Sequence, residues 1–268
     1  MRLPRLGQGT WNMGDRPAQR AEEIAALRVG MELGMTVIDT AEMYGNGRSE
    51  SLVGEAIAGQ RDRVFLVTKV LPSNAGRKGV SRACEASLKR LKTDHVDLYL
   101  LHWMGSHPLE ETLRGFEDLL AAGKIRSWGV SNLDIDEMQK LVSLPGGKAC
   151  VTDQVLYNLS RRGIEYDLLP WCAKNDISIM AYSPVEQGRI LGNKALRQVA
   201  QRLGGTPAQV ALAWTLRNPN VVSIPKASTV AHVRENRKAL ELKLDAQALS
   251  QLDQAFPAPQ GATPLEMI

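Results

Sequence analysis

Short runs of apolar, often β-branched residues alternate with longer segments of helical periodicity along the chain. The apolar runs predict eight strands, at residues 6–11, 36–39, 64–69, 96–102, 125–130, 149–154, 177–182 and 221–224. Apolar residues recurring every three or four positions predict helices at 18–34, 49–59, 81–91, 109–122, 134–143, 166–175, 196–203, 207–217, 229–240 and 246–256. Strands that are apolar throughout are typical of a parallel sheet covered on both faces.

This alternation predicts an α/β fold, a (β/α)8 TIM barrel, in which every strand is followed by at least one helix. A doubly wound parallel sheet is the alternative fold. The length of 268 residues suits one barrel, and no segment has the composition of a linker, so residues 1–268 are predicted to form a single domain.

Charge, cysteine content and the lack of long apolar segments exclude several classes of function but do not identify one. A net charge of +4 with Lys and Arg scattered among acids argues against a nucleic-acid surface and leaves room for a small anionic ligand. Three widely spaced cysteines, Cys84, Cys150 and Cys172, predict buried thiols rather than disulfides or a zinc site. The N-terminal residues lack the apolar core of a signal peptide, and no apolar run approaches a membrane span. We expect a cytoplasmic protein without membrane association.

Candidate chemistry lies where strands two to four end, the face of a barrel that carries active sites. Asp39 ends the second strand and Tyr44 follows it closely, while Lys69 and His102 end the next two strands. A lysine at the rim of an apolar barrel needs an anion, and Asp39 on the neighbouring strand is available. A nearby cation favours the phenolate, so Lys69 is expected to lower the pKa of Tyr44 and make it a general acid. A neutral His102 would hold a carbonyl oxygen beside that phenol.

With these four residues in place, the sequence resembles the aldo-keto reductase family, most of all its bacterial members with short loops. The resemblance spans nearly the whole chain and rests on the tetrad and on the segments Gly7-Gln8-Gly9-Thr10-Trp11, Ile38-Asp39-Thr40-Ala41 with Tyr44-Gly45, Gly129-Val130-Ser131-Asn132 and Ile224-Pro225-Lys226. It implies NAD(P)H-dependent reduction of aldehydes and ketones, with hydride from the nicotinamide and a proton from Tyr44. It also implies a monomer.

By position, the resemblance assigns cofactor contacts along the chain. Ser131, Asn132 and Gln154 would hold the carboxamide, and Tyr182 would stack on the nicotinamide. The segment 183–189 would cover the pyrophosphate, and Glu235 and Asn236 would face the adenine. The full set of expected cofactor contacts is Gly9, Thr10, Trp11, Ser131, Asn132, Gln154, Tyr182, Ser183, Pro184, Val185, Gln187, Arg189, Lys226, Ala227, Ser228, His232, Glu235 and Asn236.

The sequence departs from the family in the region expected to bind the 2′-phosphate. Ala227 stands where many members have Ser, and His232 where they have Arg; Lys226 and Ser228 remain available. A histidine lacks the fixed fork of an arginine. NADPH is therefore the expected cofactor, with a weaker preference over NADH than is usual and with NADH use left open.

Two further departures concern the walls of the barrel. Only residues 1–5 precede the first strand, so the hairpin that closes the barrel bottom in the family is partly missing. The loop after His102 and the tail after Phe256 are short, which predicts an open site for small aldehydes and dicarbonyls such as methylglyoxal. Its expected substrate contacts are Tyr44 and His102 with the walls Trp11, Met13, Trp103 and Met104.

Two other functions could use the same barrel. A nucleotide-sensing regulatory subunit would keep the cofactor contacts and present a surface to a partner. A metal-dependent hydrolase would need several histidines at strand ends, but of the four histidines only His102 is at one, and no metal site is predicted.

Overall fold

The computed structural model describes residues 4–268. Residues 1–3, on which part of the expectation about the opening hairpin falls, lie outside the described residues. The described residues contain eight strands: β1 (Gln8–Gly9), β2 (Val37–Asp39), β3 (Phe65–Val70), β4 (Val96–Leu101), β5 (Ile125–Ser131), β6 (Cys150–Leu156), β7 (Ser178–Tyr182) and β8 (Val221–Ser223).

All neighbouring strands pair in parallel in the order β1 to β8. The edges meet as well, because parallel bridges join Leu6 to Ser223 and Gly9 to Lys226. The Gly7 and Gly9 N–H groups donate to the Ser223 and Pro225 carbonyls at 2.8 and 3.1 Å. A Cβ at Gly9 would lie 2.7 Å from the Ile224 carbonyl oxygen, so this close approach requires glycine. The closed sheet confirms the (β/α)8 barrel and excludes the doubly wound alternative.

Helices surround the sheet. In residues 4–268 the α-helices are α1 (Arg20–Glu32), α2 (Arg48–Ala56), α3 (Arg77–Leu91), α4 (Leu109–Ala121), α5 (Ile135–Ser143), α6 (Leu168–Lys174), α7 (Lys194–Leu203), α8 (Pro207–Thr215), α9 (Val230–Lys238) and α10 (Ala246–Ala255). The sequence explains several starts: Asp134 with Glu137 and Thr206 with Gln209 form capping boxes. No helix in this part of the chain is both long and apolar enough to cross a membrane.

The core has two main layers. Seven residues pack inside the barrel, namely Val37, Val67, Leu98, Leu100, Met180, Val222 and Ile224. A larger layer between strands and helices includes Cys84, Cys150 and Cys172, which are free and buried as predicted. The barrel interior is therefore apolar, and polar side chains lie above it at the ends of the strands.

The predicted elements are present, but several bounds shift. The helix predicted from residue 18 begins at Arg20, after a 3-10 turn over Pro17–Gln19. Strand β6 runs two residues further than predicted, to Leu156. A 3-10 segment over Glu186–Gly192, with non-helical backbone at Gln187 and Gly188, was not predicted because it lacks apolar periodicity.

Candidate active site

The predicted tetrad meets at the carboxyl ends of β2, β3 and β4. The Lys69 ammonium lies 2.9 Å from both Asp39 carboxylate oxygens. It also donates to the Thr40 carbonyl at 2.8 Å and to the Tyr44 hydroxyl oxygen at 3.1 Å. The Lys69 side chain has no solvent exposure, and that of Asp39 has 3%. An ammonium has three donors, so this buried cation is fully hydrogen-bonded.

The direction of these bonds fixes the direction of the tyrosine proton. An ammonium only donates, so the Tyr44 oxygen accepts from Lys69 and its own O–H is free to point elsewhere. Tyr44 is half-buried and lines a cavity above the barrel, and this O–H is therefore available to a molecule bound there. The turn that follows Tyr44 has positive φ at three successive residues, Gly45 (56°), Asn46 (52°) and Gly47 (84°), and leads directly into α2.

His102 lies beside the phenol, with 5.8 Å between the two ring centroids. Burial, with a smaller effect from the Lys69 charge, lowers the pKa of His102 to about 2, so the imidazole is neutral. Its Nδ1 is buried and finds no hydrogen-bond partner within residues 4–268. We assign the proton to Nε2, because an unpaired buried lone pair is tolerated better than an unpaired N–H. The neutral ring then presents a donor to the cavity next to Tyr44.

The expectation that Lys69 gives Tyr44 a lowered pKa is wrong for this structure. Burial and the Asp39 charge together raise the pKa of Tyr44 above its usual value, although Lys69 acts to lower it. For Lys69, burial disfavours the charge, but Asp39 and Tyr44 outweigh it and raise its pKa. Lys69 thus stays charged and Tyr44 stays protonated across the neutral range.

Asp39 also accepts a hydrogen bond from a residue on the opposite side of the barrel. Gln154 on β6 donates from Nε2 to Asp39 Oδ1 at 2.7 Å. On the adjoining strand end, Asn132 donates to the His102 carbonyl at 3.1 Å and accepts from the Tyr182 hydroxyl at 3.0 Å. Hydrogen bonds therefore join the tetrad to residues from the opposite half of the sheet.

A cavity of about 790 Å³ opens above these residues, which is ample for a sizeable ligand. Its lining begins at Asp39, Tyr44 and His102 and reaches to Lys226 and α9. The family model for the aldo/keto reductase family matches residues 5–256. The chain belongs to the aldo/keto reductase family. Membership confirms the resemblance stated from the sequence and makes the protein an oxidoreductase that reduces carbonyl groups.

Individual relatives of this reductase agree with the family match. It is 55% identical to methylglyoxal reductase YeaE of Escherichia coli (strain K12) over 99% of this chain and 95% of the relative. It is 32% identical to glyoxal reductase of Bacillus subtilis (strain 168) over 87% of this chain and 83% of that protein. An aldo/keto reductase from Klebsiella pneumoniae, crystallised with NADP and acetate, superposes with a TM-score of 0.98 at 50% identity, covering 99% of this chain and 96% of the other.

Most of the residues predicted to bind cofactor or substrate line the reductase cavity. These are Gly9, Thr10, Trp11, Tyr44, His102, Trp103, Ser131, Asn132, Gln154, Tyr182, Ser183, Pro184, Val185, Gln187, Lys226, His232, Glu235 and Asn236. At the far end Lys226 is an exposed cation that lines the cavity. Neutral hydrogen-bonding groups near the tetrad and the Lys226 ammonium at the far end fit a nicotinamide dinucleotide.

Five predicted contacts lie elsewhere. Met13 is 1% exposed and packs in the core, because the chain turns inward after Asn12. Ala227 is 9% exposed and packs with the small apolar group around Leu6. Arg189 pairs with Glu186 at 2.7 Å outside the cavity lining, and Ser228 is also absent from it. Met104, expected as a wall, packs against the core.

The prediction of a tail too short to form a wall is also wrong. Met267 and Ile268 return to the cavity and line it. Other lining residues that the sequence analysis missed are Asn12, Met43, Gly188, Leu191, Ala208 and Ile224. Hydrophobic periodicity gives no signal for a tail without regular structure. The turn residues at 12, 43 and 188 adjoin predicted contacts, and that adjacency was the available clue.

Proposed function

We propose that this protein is an NADPH-dependent reductase of small aldehydes and dicarbonyls, with methylglyoxal as its first candidate substrate. The observation that carries the proposal is the geometry around Tyr44. Lys69 donates to the phenol oxygen at 3.1 Å from behind, and the phenol proton is free to face the cavity beside a neutral His102. This arrangement suits proton delivery to a carbonyl oxygen.

Each member of the tetrad has a separate role in the proposal. Tyr44 gives its proton to the carbonyl oxygen, and His102 Nε2 donates to the same oxygen and orients it. Lys69 stabilises the negative charge that develops on the phenol oxygen, since its ammonium is held within hydrogen-bonding distance. Asp39, fixed by Lys69 and by Gln154, keeps the ammonium in place. When bound, the nicotinamide supplies the hydride.

The cofactor residues divide between the two ends of the cavity. Gln154 Nε2 already donates to Asp39, so its Oε1 is the atom left to accept from the carboxamide. Asn132 Oδ1 accepts from Tyr182 and has a second lone pair for the same group. At the other end Lys226 would pair with the 2′-phosphate, and His232, exposed on the first turn of α9, would add a single hydrogen bond. Structures of a relative with NADP and with NADPH support this cofactor.

The names of the relatives support a small dicarbonyl as substrate, since methylglyoxal reductase and glyoxal reductase activities are ascribed to them. The apolar side chains Trp11 and Met43, 42% and 39% exposed, border the same cavity and would contact the carbon chain. We further propose that the whole chain acts as one barrel domain and as a cytoplasmic monomer.

Following the loss of NADPH absorbance with methylglyoxal, and again with NADH, tests the proposal. We expect turnover with NADPH, slower turnover with NADH, and no dependence on added metal or chelator. Tight NADPH binding without turnover of any small carbonyl would contradict the reductase function.

A further inference from the structure

The cofactor loop, defined here as residues 183–188, has a strained backbone. Three of its non-glycine residues adopt positive φ, namely Ser183 (47°), Glu186 (50°) and Gln187 (53°). Such conformations cost free energy and persist only where surrounding contacts hold them. Asn158 provides part of this support, because its Nδ2 donates to the Ser183 carbonyl at 2.9 Å and to Glu186 Oε2 at 2.8 Å. The loop thus depends on the segment that follows β6.

Glu186 anchors this loop from its buried side. The residue is 3% exposed, does not line the cavity, and accepts from Arg189 as well as from the β6 side. Arg161 donates to Glu186 Oε1 from Nε at 3.2 Å and from Nη2 at 3.1 Å. A buried carboxylate requires such donors, and the loop conformation depends on them.

The same guanidinium binds the C-terminal segment, defined here as residues 263–268. Arg161 Nη1 donates to Glu266 Oε1. On one side of Glu266, the Leu265 N–H donates to Asp134 Oδ2 at 2.9 Å. On the other side, Met267 and Ile268 line the cavity although they are 54% and 48% exposed. Glu266 itself is outside the cavity lining, so its contact with Arg161 acts on the site only through its neighbours.

We propose that Arg161 is a positioning residue that ties the substrate wall formed by Met267 and Ile268 to the loop that covers the cofactor. The inference rests on the proposed function, because that function assigns the wall of Met267 and Ile268 to the carbonyl substrate and the cofactor loop to NADPH. Arginine suits the position: its planar fork presents donors in two directions, one toward Glu186 and one toward Glu266. Loss of Glu266 frees only the C-terminal segment, whereas loss of Arg161 loosens both.

Two variants of the full-length protein separate these effects. Glu266→Gln should raise the KM for a bulky probe aldehyde, 4-nitrobenzaldehyde, about two- to fivefold, the range of a half-exposed ion pair. Its kcat and the Kd for NADPH, measured by fluorescence titration, should stay within about twofold. Arg161→Met should raise the same KM and also raise the Kd for NADPH about tenfold, because buried Glu186 loses two donors. In the double variant the KM should equal that of Arg161→Met alone, since the contact is already lost.

Matched controls exist elsewhere on the surface. Asp118→Asn removes a carboxylate that is 44% exposed from its pair with Arg77, compared with 45% for Glu266. Arg202→Met removes a guanidinium that is 32% exposed, compared with 33% for Arg161. Both should leave KM and Kd unchanged. A KM for Glu266→Gln equal to that of Asp118→Asn would overturn the inference, as would additive effects in the double variant. A wild-type protein that neither binds NADPH nor reduces carbonyls would instead overturn the proposed function.

Discussion

Replacing Tyr44 by phenylalanine tests the chemical core of the proposal. The variant keeps the ring and removes the hydroxyl that accepts from Lys69 at 3.1 Å. The ammonium retains Asp39 and Thr40 as acceptors, so the free energy of unfolding should fall by only about 1 kcal/mol. The proton donor is lost entirely, and kcat should fall about 10²- to 10⁴-fold. That loss corresponds to roughly 3–5 kcal/mol of activation free energy, well above the stability effect.

The assay is steady-state oxidation of NADPH by saturating methylglyoxal, which gives kcat, with the Kd for NADPH measured in parallel. The Kd should change little, because the phenol hydroxyl is assigned to the carbonyl and not to the cofactor. Tyr99→Phe is the matched control: its hydroxyl is buried, finds no partner within residues 4–268, and lies outside the cavity lining. That control should keep full activity. A Tyr44→Phe protein with more than about a tenth of the wild-type kcat would refute the acid assignment.

Three further predictions concern pH and the cofactor end of the cavity. The pKa of His102 is about 2 and that of Tyr44 is raised, so kcat with methylglyoxal should stay level from about pH 5 to about pH 9. A decline in kcat near pH 6.5 would contradict the neutral imidazole. As pH falls below about 6.5, the unfolded chain binds a proton at His102 that the folded chain does not, so the free energy of unfolding should fall by up to about 1.4 kcal/mol per pH unit. His102→Gln should reduce that slope in denaturant titrations. His232→Arg should increase the NADPH over NADH affinity ratio by adding a bidentate phosphate partner, and an unchanged ratio would place His232 away from the phosphate.

The barrel was predictable because its signal is repeated and local. Each strand carries its own apolar run, and parallel strands buried on both faces need no alternation to be found. The tetrad was predictable for a related reason: Asp39, Lys69 and His102 each end an apolar run, so the fold alone brings them together. Residues on irregular segments neither belong to an apolar run nor end one. The position of Met13 was wrongly predicted because the direction of its side chain depends on a turn at Asn12, which has φ of 63°.

The C-terminal wall lay beyond prediction for a different reason. Its position depends on single long-range contacts, such as Leu265 with Asp134 and Glu266 with Arg161, which lie far apart in sequence. In the sequence alone, these residues look like any other exposed acid or base, and only the folded structure shows that they are partners. The same holds for Glu186, whose burial follows from a strained loop and not from an apolar pattern.

The raised pKa of Tyr44 changes how the tetrad is expected to work. A phenol of lowered pKa would lose part of its proton at neutral pH and would stabilise the anion before any substrate arrived. Here burial and the Asp39 charge together oppose the phenolate more strongly than Lys69 favours it, so the resting phenol keeps its proton. As the proton leaves for the carbonyl oxygen, negative charge develops 3.1 Å from an ammonium that burial and Asp39 hold in place. The attraction between these charges is then gained in the transition state and not in the resting site, which is the condition for it to accelerate the reaction.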